Sequence, residues 1–118
     1  MKVRGVRGAI VVGDDSRDEV LGATARLVQE IIERNQVDPQ EIVSVFFTST
    51  EDLRSAFPAE AARQIGLSHV PLLGAREVAV DGAMSRVVRV LMHFNTEASQ
   101  SEIDHVYLGG AESLRDDL

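Results

Sequence analysis

A chain of 118 residues has room for one domain and no second, so residues 1–118 read as a single unit. Its 44% apolar and 26% charged content excludes general disorder, and a net charge of −7 argues against a binder of the nucleic-acid backbone, which needs a basic face. The absence of cysteine excludes disulfides, thiolate metal sites and a cysteine nucleophile.

No run approaches the ~18 apolar residues of a membrane span, and Met1-Lys2-Val3-Arg4 leads into a strand-like stretch instead of a signal-peptide core. A cytoplasmic protein without membrane or nucleic-acid partners is the expectation. Residues 3–12, rich in valine, isoleucine and glycine, predict a first strand, ended by Gly13-Asp14-Asp15. Ser16-Arg17-Asp18-Glu19 matches a capping box. Val20, Leu21, Thr24, Leu27, Val28, Ile31 and Ile32 then form one apolar stripe on a helix running to about Asn35.

Asp38-Pro39-Gln40-Glu41 predicts a short helical turn. Residues 42–47 are almost wholly apolar, as in a strand buried on both faces. Residues 58–65 suit a short helix stopped by Gly66. Residues 69–73 and 76–80 read as strand pieces around a break at Gly74, and Asp81-Gly82 as a turn. Residues 87–94 and 105–108 complete the strands, and the tail after Gly109-Gly110 is expected to be loosely held. The sum is an α+β fold: a mixed β-sheet with one long helix and short helices on one face. With so few helices, another subunit is the expected cover for the second face.

Eleven of the 12 basic residues are arginine, a cation whose planar fork pairs carboxylates with two bonds. Arg89 interrupts an apolar strand, on one face with Val87 and Leu91. A buried unpaired charge costs several kcal/mol, so this guanidinium requires an internal ion pair, an exposed edge or a bound anion. Arg7 lies between Gly5 and Gly8, where missing side chains clear access for a ligand or a backbone, and reads either as an anion clamp or as a solvated charge beside a β-bulge. Glu77 reads either as a hydroxyl acceptor or as the solvent-facing half of an Arg76-Glu77 pair. Tyr107, the single tyrosine, suits a core ring or a ligand contact. The histidines His69, His93 and His105 have no metal-binding spacing, and Thr48-Ser49-Thr50 lacks the glycines of a nucleophile elbow. The residues alone lead to an oligomer whose strand-borne arginines bind a small carboxylate.

The ordered set extends this. Arg4-Gly5-Val6-Arg7-Gly8-Ala9, Phe57-Pro58-Ala59-Glu60-Ala61-Ala62-Arg63, Val70-Pro71-Leu72 before Glu77, Val88-Arg89-Val90, His105-Val106-Tyr107-Leu108 and Leu114-Arg115-Asp116-Asp117-Leu118 occur in sequence. Together they resemble the monofunctional chorismate mutases of the trimeric, pseudo-α/β-barrel class. The resemblance implies conversion of chorismate to prephenate by a Claisen rearrangement, a homotrimer with clefts between subunits, and no cofactor or metal. By that likeness Arg89 contacts the ether oxygen and a carboxylate, Arg7 and Tyr107 bind carboxylate, and Glu77 accepts from the ring hydroxyl. Phe57, Arg63, Leu73, Gly74, Ala75 and Arg76 would line the cleft, with Leu114 and Arg115 in the tail that covers it. Gly74 stands where relatives often carry a small hydroxyl or thiol, and Asp116 replaces a common proline; a weaker Michaelis constant is the expected consequence. The alternatives are an imine-deaminase-like trimer and a non-catalytic carboxylate sensor.

Overall fold

The structure is a computed structural model that describes residues 1–117, with side chains through Leu114. Strand β1 (Lys2–Val11) leads through Ser16 into helix α1 (Arg17–Arg34). The Ser16 hydroxyl accepts from the Glu19 N–H at 3.3 Å, capping the helix, although Glu19 does not return the bond. At the other end Asn35 donates to the carbonyls of Ile31 and Asp104 and accepts from the Asp104 N–H, clipping the helix to the segment before the last strand. A 3-10 turn at Pro39–Glu41, capped by Asp38, precedes β2 (Ile42–Ser49). Helix α2 (Pro58–Gln64), β3 (Leu72–Arg76), β4 (Val87–Thr96) and β5 (Val106–Leu108) follow, and a 3-10 segment covers Glu112–Asp117.

The five strands form one mixed sheet in the order β3-β2-β4-β1-β5. Only β4 runs opposite to its neighbours; β2 pairs parallel with β3, and β1 with β5. Parallel strands need crossovers, and α1 and α2 supply them. Both step across the sheet in the same direction, so the right-handed rule sends both to one face. Val6, Ile10, Val45, Phe47, Val88, Val90, Met92 and Phe94 meet Leu27, Val28, Ile31, Ala59 and Ala62 there, in one contiguous core. Gly8 faces the same way. A Cβ at this position would lie 2.8 Å from the Val106 carbonyl oxygen and 2.9 Å from Ile31 Cδ1, so its bare backbone is what seats α1 against the sheet.

The helix-free face differs from expectation. Residues 42–47 are not buried on both sides: Val45 and Phe47 are about 1% exposed, but Phe46, on the opposite face, is 39% exposed because neither α1 nor α2 covers that side, and Val43 is 45% exposed. Val43 is the extra residue of a bulge between Ile42 and Ser44 and has no partner on β4, which turns it out of the core. There is no break at Gly74. The ladder to β2 pairs Phe47 with Gly74 and carries one strand through it, while Val78 and Val80 belong to no strand and stand exposed. The tail is also better held than expected as far as Leu114, which packs on Ala9, Val87, Tyr107 and Ala111. Leu118 lies outside the described residues. Among those described, no helix is long and apolar enough to cross a membrane, and no acidic or histidine cluster is suited to a metal ion.

Gly8→Ala is expected to destabilise the fold by about 1–3 kcal/mol, because backbone and α1 side chains must both shift. Gly5→Ala, whose Cβ would meet Leu91 and His93 at an ordinary 3.7–3.8 Å, should change stability by less than about 0.5 kcal/mol. Urea denaturation of the two variants checks the contrast.

Candidate functional site

Strand pairing arranges the helix-free face in rows. One row runs Ala75, Thr48, Arg89, Ala9, Tyr107 across all five strands, and the next runs Leu73, Phe46, Leu91, Arg7. Arg7 and Arg89 are therefore diagonal neighbours on adjacent strands, at a backbone separation of about 7–8 Å. The arginine that sequence places inside an apolar strand does face the bare side, flanked by Thr48 on β2 and Ala9 on β1.

Arg89 Nε lies 3.1 Å from Glu77 Oε2, with the side chains 30% and 26% exposed. The N–H does not point along this contact, so Arg89 Nε is buried without a hydrogen bond among the described residues. The ion pair neutralises the guanidinium but leaves the Nε donor unsatisfied. Glu77 is held from two sides: its N–H donates to the Ser49 carbonyl at 2.8 Å, extending the β2–β3 ladder, and Thr48 Oγ1 donates to Oε2 at 2.7 Å. It is thus a partner of Arg89 and Thr48, not the outer half of a pair with Arg76.

Tyr107 is 7% exposed, its ring packed in the small cluster under Leu114, and its buried hydroxyl finds no partner among the described residues. A buried, unpaired hydroxyl costs about 1–3 kcal/mol, so an occupant of this row that accepts its proton would recover energy. The Arg7 N–H donates to His105 Nδ1 at 3.0 Å, fixing the backbone from which the guanidinium projects.

The other candidates gather elsewhere. Phe57, Arg63, Leu73, Gly74, Ala75 and Arg76 line an open groove of about 910 Å³ between β3 and α2. Phe57, at the start of α2, is 81% exposed. Glu77 borders a second hollow of about 250 Å³ under residues 77–85, next to the groove through shared Thr50. At the usual strand spacing, β3 lies about 14 Å from β1 and about 19 Å from β5. Within one chain the groove and the Arg7–Tyr107 side do not converge. Leu114 packs beside Tyr107, while Arg115 belongs to the 3-10 segment by its backbone alone.

Sequence reasoning missed the groups that hold these walls. Asp15 Oδ1 accepts from the N–H groups of Arg54 and Ser55 at 2.9 and 3.0 Å and from the Ser55 hydroxyl at 2.7 Å, fixing the loop that carries Phe57. Arg17 and Glu60 join α1 to α2 through two contacts of 2.7 and 2.9 Å. Asp52 accepts from the N–H of Arg86, whose φ of 54° is left-handed and whose Nε donates to the Val12 carbonyl. Arg86 thereby ties three segments together just ahead of Arg89. Aspartates beside Ser or in turns are too common in sequence to signal these pairings.

Three of these carboxyls are held below their ordinary range: Asp15 chiefly through the Ser55 hydroxyl, Asp52 chiefly through Thr50 and Glu60 chiefly through Arg17. Folded values below the unfolded ones stabilise the protein fully above the ordinary carboxylate pKa, and that stabilisation is lost as pH falls through the folded values. The thermal midpoint should therefore drop on acidification below about pH 4, less steeply in Asp52→Asn; circular dichroism melts across pH check this.

The family described as chorismate mutase type I matches residues 3–118 of this chain. Chorismate mutase AroH of Thermus thermophilus is 52% identical over 117 residues, which cover 98% of this chain and 96% of that protein. Chorismate mutase AroH of Bacillus subtilis is 39% identical over 119 residues, covering 100% and 94%. Among solved structures, a chorismate mutase from Clostridium thermocellum matches with a TM-score of 0.92 at 40% identity, over 93% of this chain and 98% of that one.

Proposed function

The chain belongs to the chorismate mutase type I family, and from that premise we propose how its face of arginines converts chorismate to prephenate. The observation that carries the proposal is Arg89: a half-buried cation on a bare sheet face, charge-paired yet with an unsatisfied donor, in one row with an unpaired Tyr107 hydroxyl. Such donors suit a small dianion.

The rearrangement is unimolecular and pericyclic, so it calls on no nucleophile, general base, cofactor or metal. It needs the folded conformer held in place and stabilisation of the charge that develops as the ether bond breaks. Arg89 meets the ether oxygen and a carboxylate, Arg7 and Tyr107 take carboxylate oxygens, and Glu77 accepts from the ring hydroxyl. The groove residues Phe57, Arg63, Leu73, Gly74, Ala75 and Arg76 enclose the substrate, and Leu114 and Arg115 close over it.

The protein works as a cytoplasmic homotrimer, with each cleft formed where the β3–α2 groove of one copy meets the open sheet face of another. Two features support the assembly. The exposed apolar residues Phe46, Leu91 and Leu73 sit together on the bare face, and the groove lies too far from the Arg7–Tyr107 side for one chain to complete the site.

Purified protein mixed with chorismate should consume its diene absorbance and yield prephenate by chromatography. Arg89→Lys keeps the charge but loses the fork, and kcat should fall about 10²–10³-fold with the oligomer intact. Near-normal turnover in that variant would remove Arg89 from its role. Because no proton is transferred, kcat should stay flat across neutral pH; a bell-shaped profile would count against the mechanism.

A further inference from the structure

Both protein contacts to the Glu77 carboxylate fall on a single oxygen. Thr48 Oγ1 donates to Oε2 at 2.7 Å, and Arg89 Nε approaches the same Oε2 at 3.1 Å without hydrogen-bond alignment. Oε1 makes no hydrogen bond among the described residues. We infer that Thr48 is a positioning residue for substrate binding: its hydroxyl takes the well-directed acceptor site on Oε2, which sets the carboxylate's rotation and reserves Oε1 for the substrate's hydroxyl. The inference rests on the reading of Glu77 given above and deepens it.

Geometry favours this assignment over incidental contact. Thr48 sits directly between Ala75 and Arg89 in its row, so its side chain projects from the sheet between β4, which carries Arg89, and β3, just past whose end Glu77 lies. Glu77's backbone is anchored to Ser49, the neighbour of Thr48 on β2, which keeps carboxylate and hydroxyl at a fixed spacing. Arginine and carboxylate left to themselves favour a parallel, two-bond fork. With Thr48 holding Oε2, that closure does not form, and the guanidinium keeps donors available for an anion. One short hydroxyl thus prevents the site's cation and its acceptor from consuming each other.

The test is steady-state turnover of chorismate by wild type, Thr48→Val, Thr48→Ser, Glu77→Ala and the Thr48→Val/Glu77→Ala double variant. Valine keeps the branched shape suited to a strand and loses only the hydroxyl. Thr48→Val should lose about tenfold in kcat/KM, the scale of one hydrogen bond to a charged group, mostly through KM. Thr48→Ser should recover most of the loss. In the Glu77→Ala background the Thr48→Val change should cost nothing further, since the residue through which it acts is gone. An equal loss with and without Glu77, or no loss with Glu77 present, overturns the inference while leaving the enzyme reading intact. A wild type that leaves chorismate untouched overturns both, and an active Glu77→Ala indistinguishable from wild type removes Glu77 and Thr48 together.

Discussion

Both crossover connections step across the sheet in one direction, from β1 over β4 to β2 and from β2 to β3, while β4 fills the gap antiparallel. With right-handed crossovers, α1 and α2 must then share a face. Everything else follows from that asymmetry. One side of β1, β2, β4 and β5 is committed to a dry core rich in valine, phenylalanine and methionine, against which β3 adds only Leu72. The other side is free to carry arginine and threonine in register, with Glu77 beside them, because α1 and α2 both pack on the first. Gly8 shows how tight the committed side is, since even a methyl group there would strike the Val106 carbonyl and Ile31.

Charge is distributed with the same economy. The chain carries a net −7, yet its arginines Arg7 and Arg89 share the bare face as diagonal neighbours. Many of the surplus carboxylates serve as scaffolding: Asp15 and Asp52 gather backbone N–H groups around the loop bearing Phe57 and around Arg86, and Glu60 grips Arg17. Ionised acceptors make strong local bonds to amides, so an acidic sequence can build rigid loops without enlarging a thin core. The left-handed Arg86, costly for a residue with a side chain, is held by contacts from Asp52 and Val12 at once.

The long helix was legible because its signal is local and redundant: a serine cap, a stripe of apolar residues and an asparagine end coincide. Arg89 was legible for the opposite reason, as a violation of pattern inside a strand. Position 74 misled, since glycine reads as a break when seen alone but is carried through by its ladder partner Phe47. The run from Ile42 to Phe47 misled because apolar residues say that a face is to be covered and do not say by what. Thr48 was visible as a hydroxyl, but its pairing with Glu77 spans 29 residues and depends on the parallel register. Nothing in a single sequence encodes such a register directly.

The small cluster of Ala9, Val87, Tyr107 and Ala111 under Leu114 is separate from the main core and lies on the opposite side of the sheet. The free energy of lifting the tail is therefore that of exposing a handful of side chains, not of unfolding the domain. A segment held by so few contacts is the kind that opens locally, at a free energy below that of global unfolding. Amide protection at Ala111 and Leu114, whose N–H groups bond to Leu108 and Ala111, would report that motion independently of global stability. The strength of the tail's hold over Tyr107 is thereby set by a few side chains, Leu114 and Ala111 against Ala9 and Val87, and not by the main core.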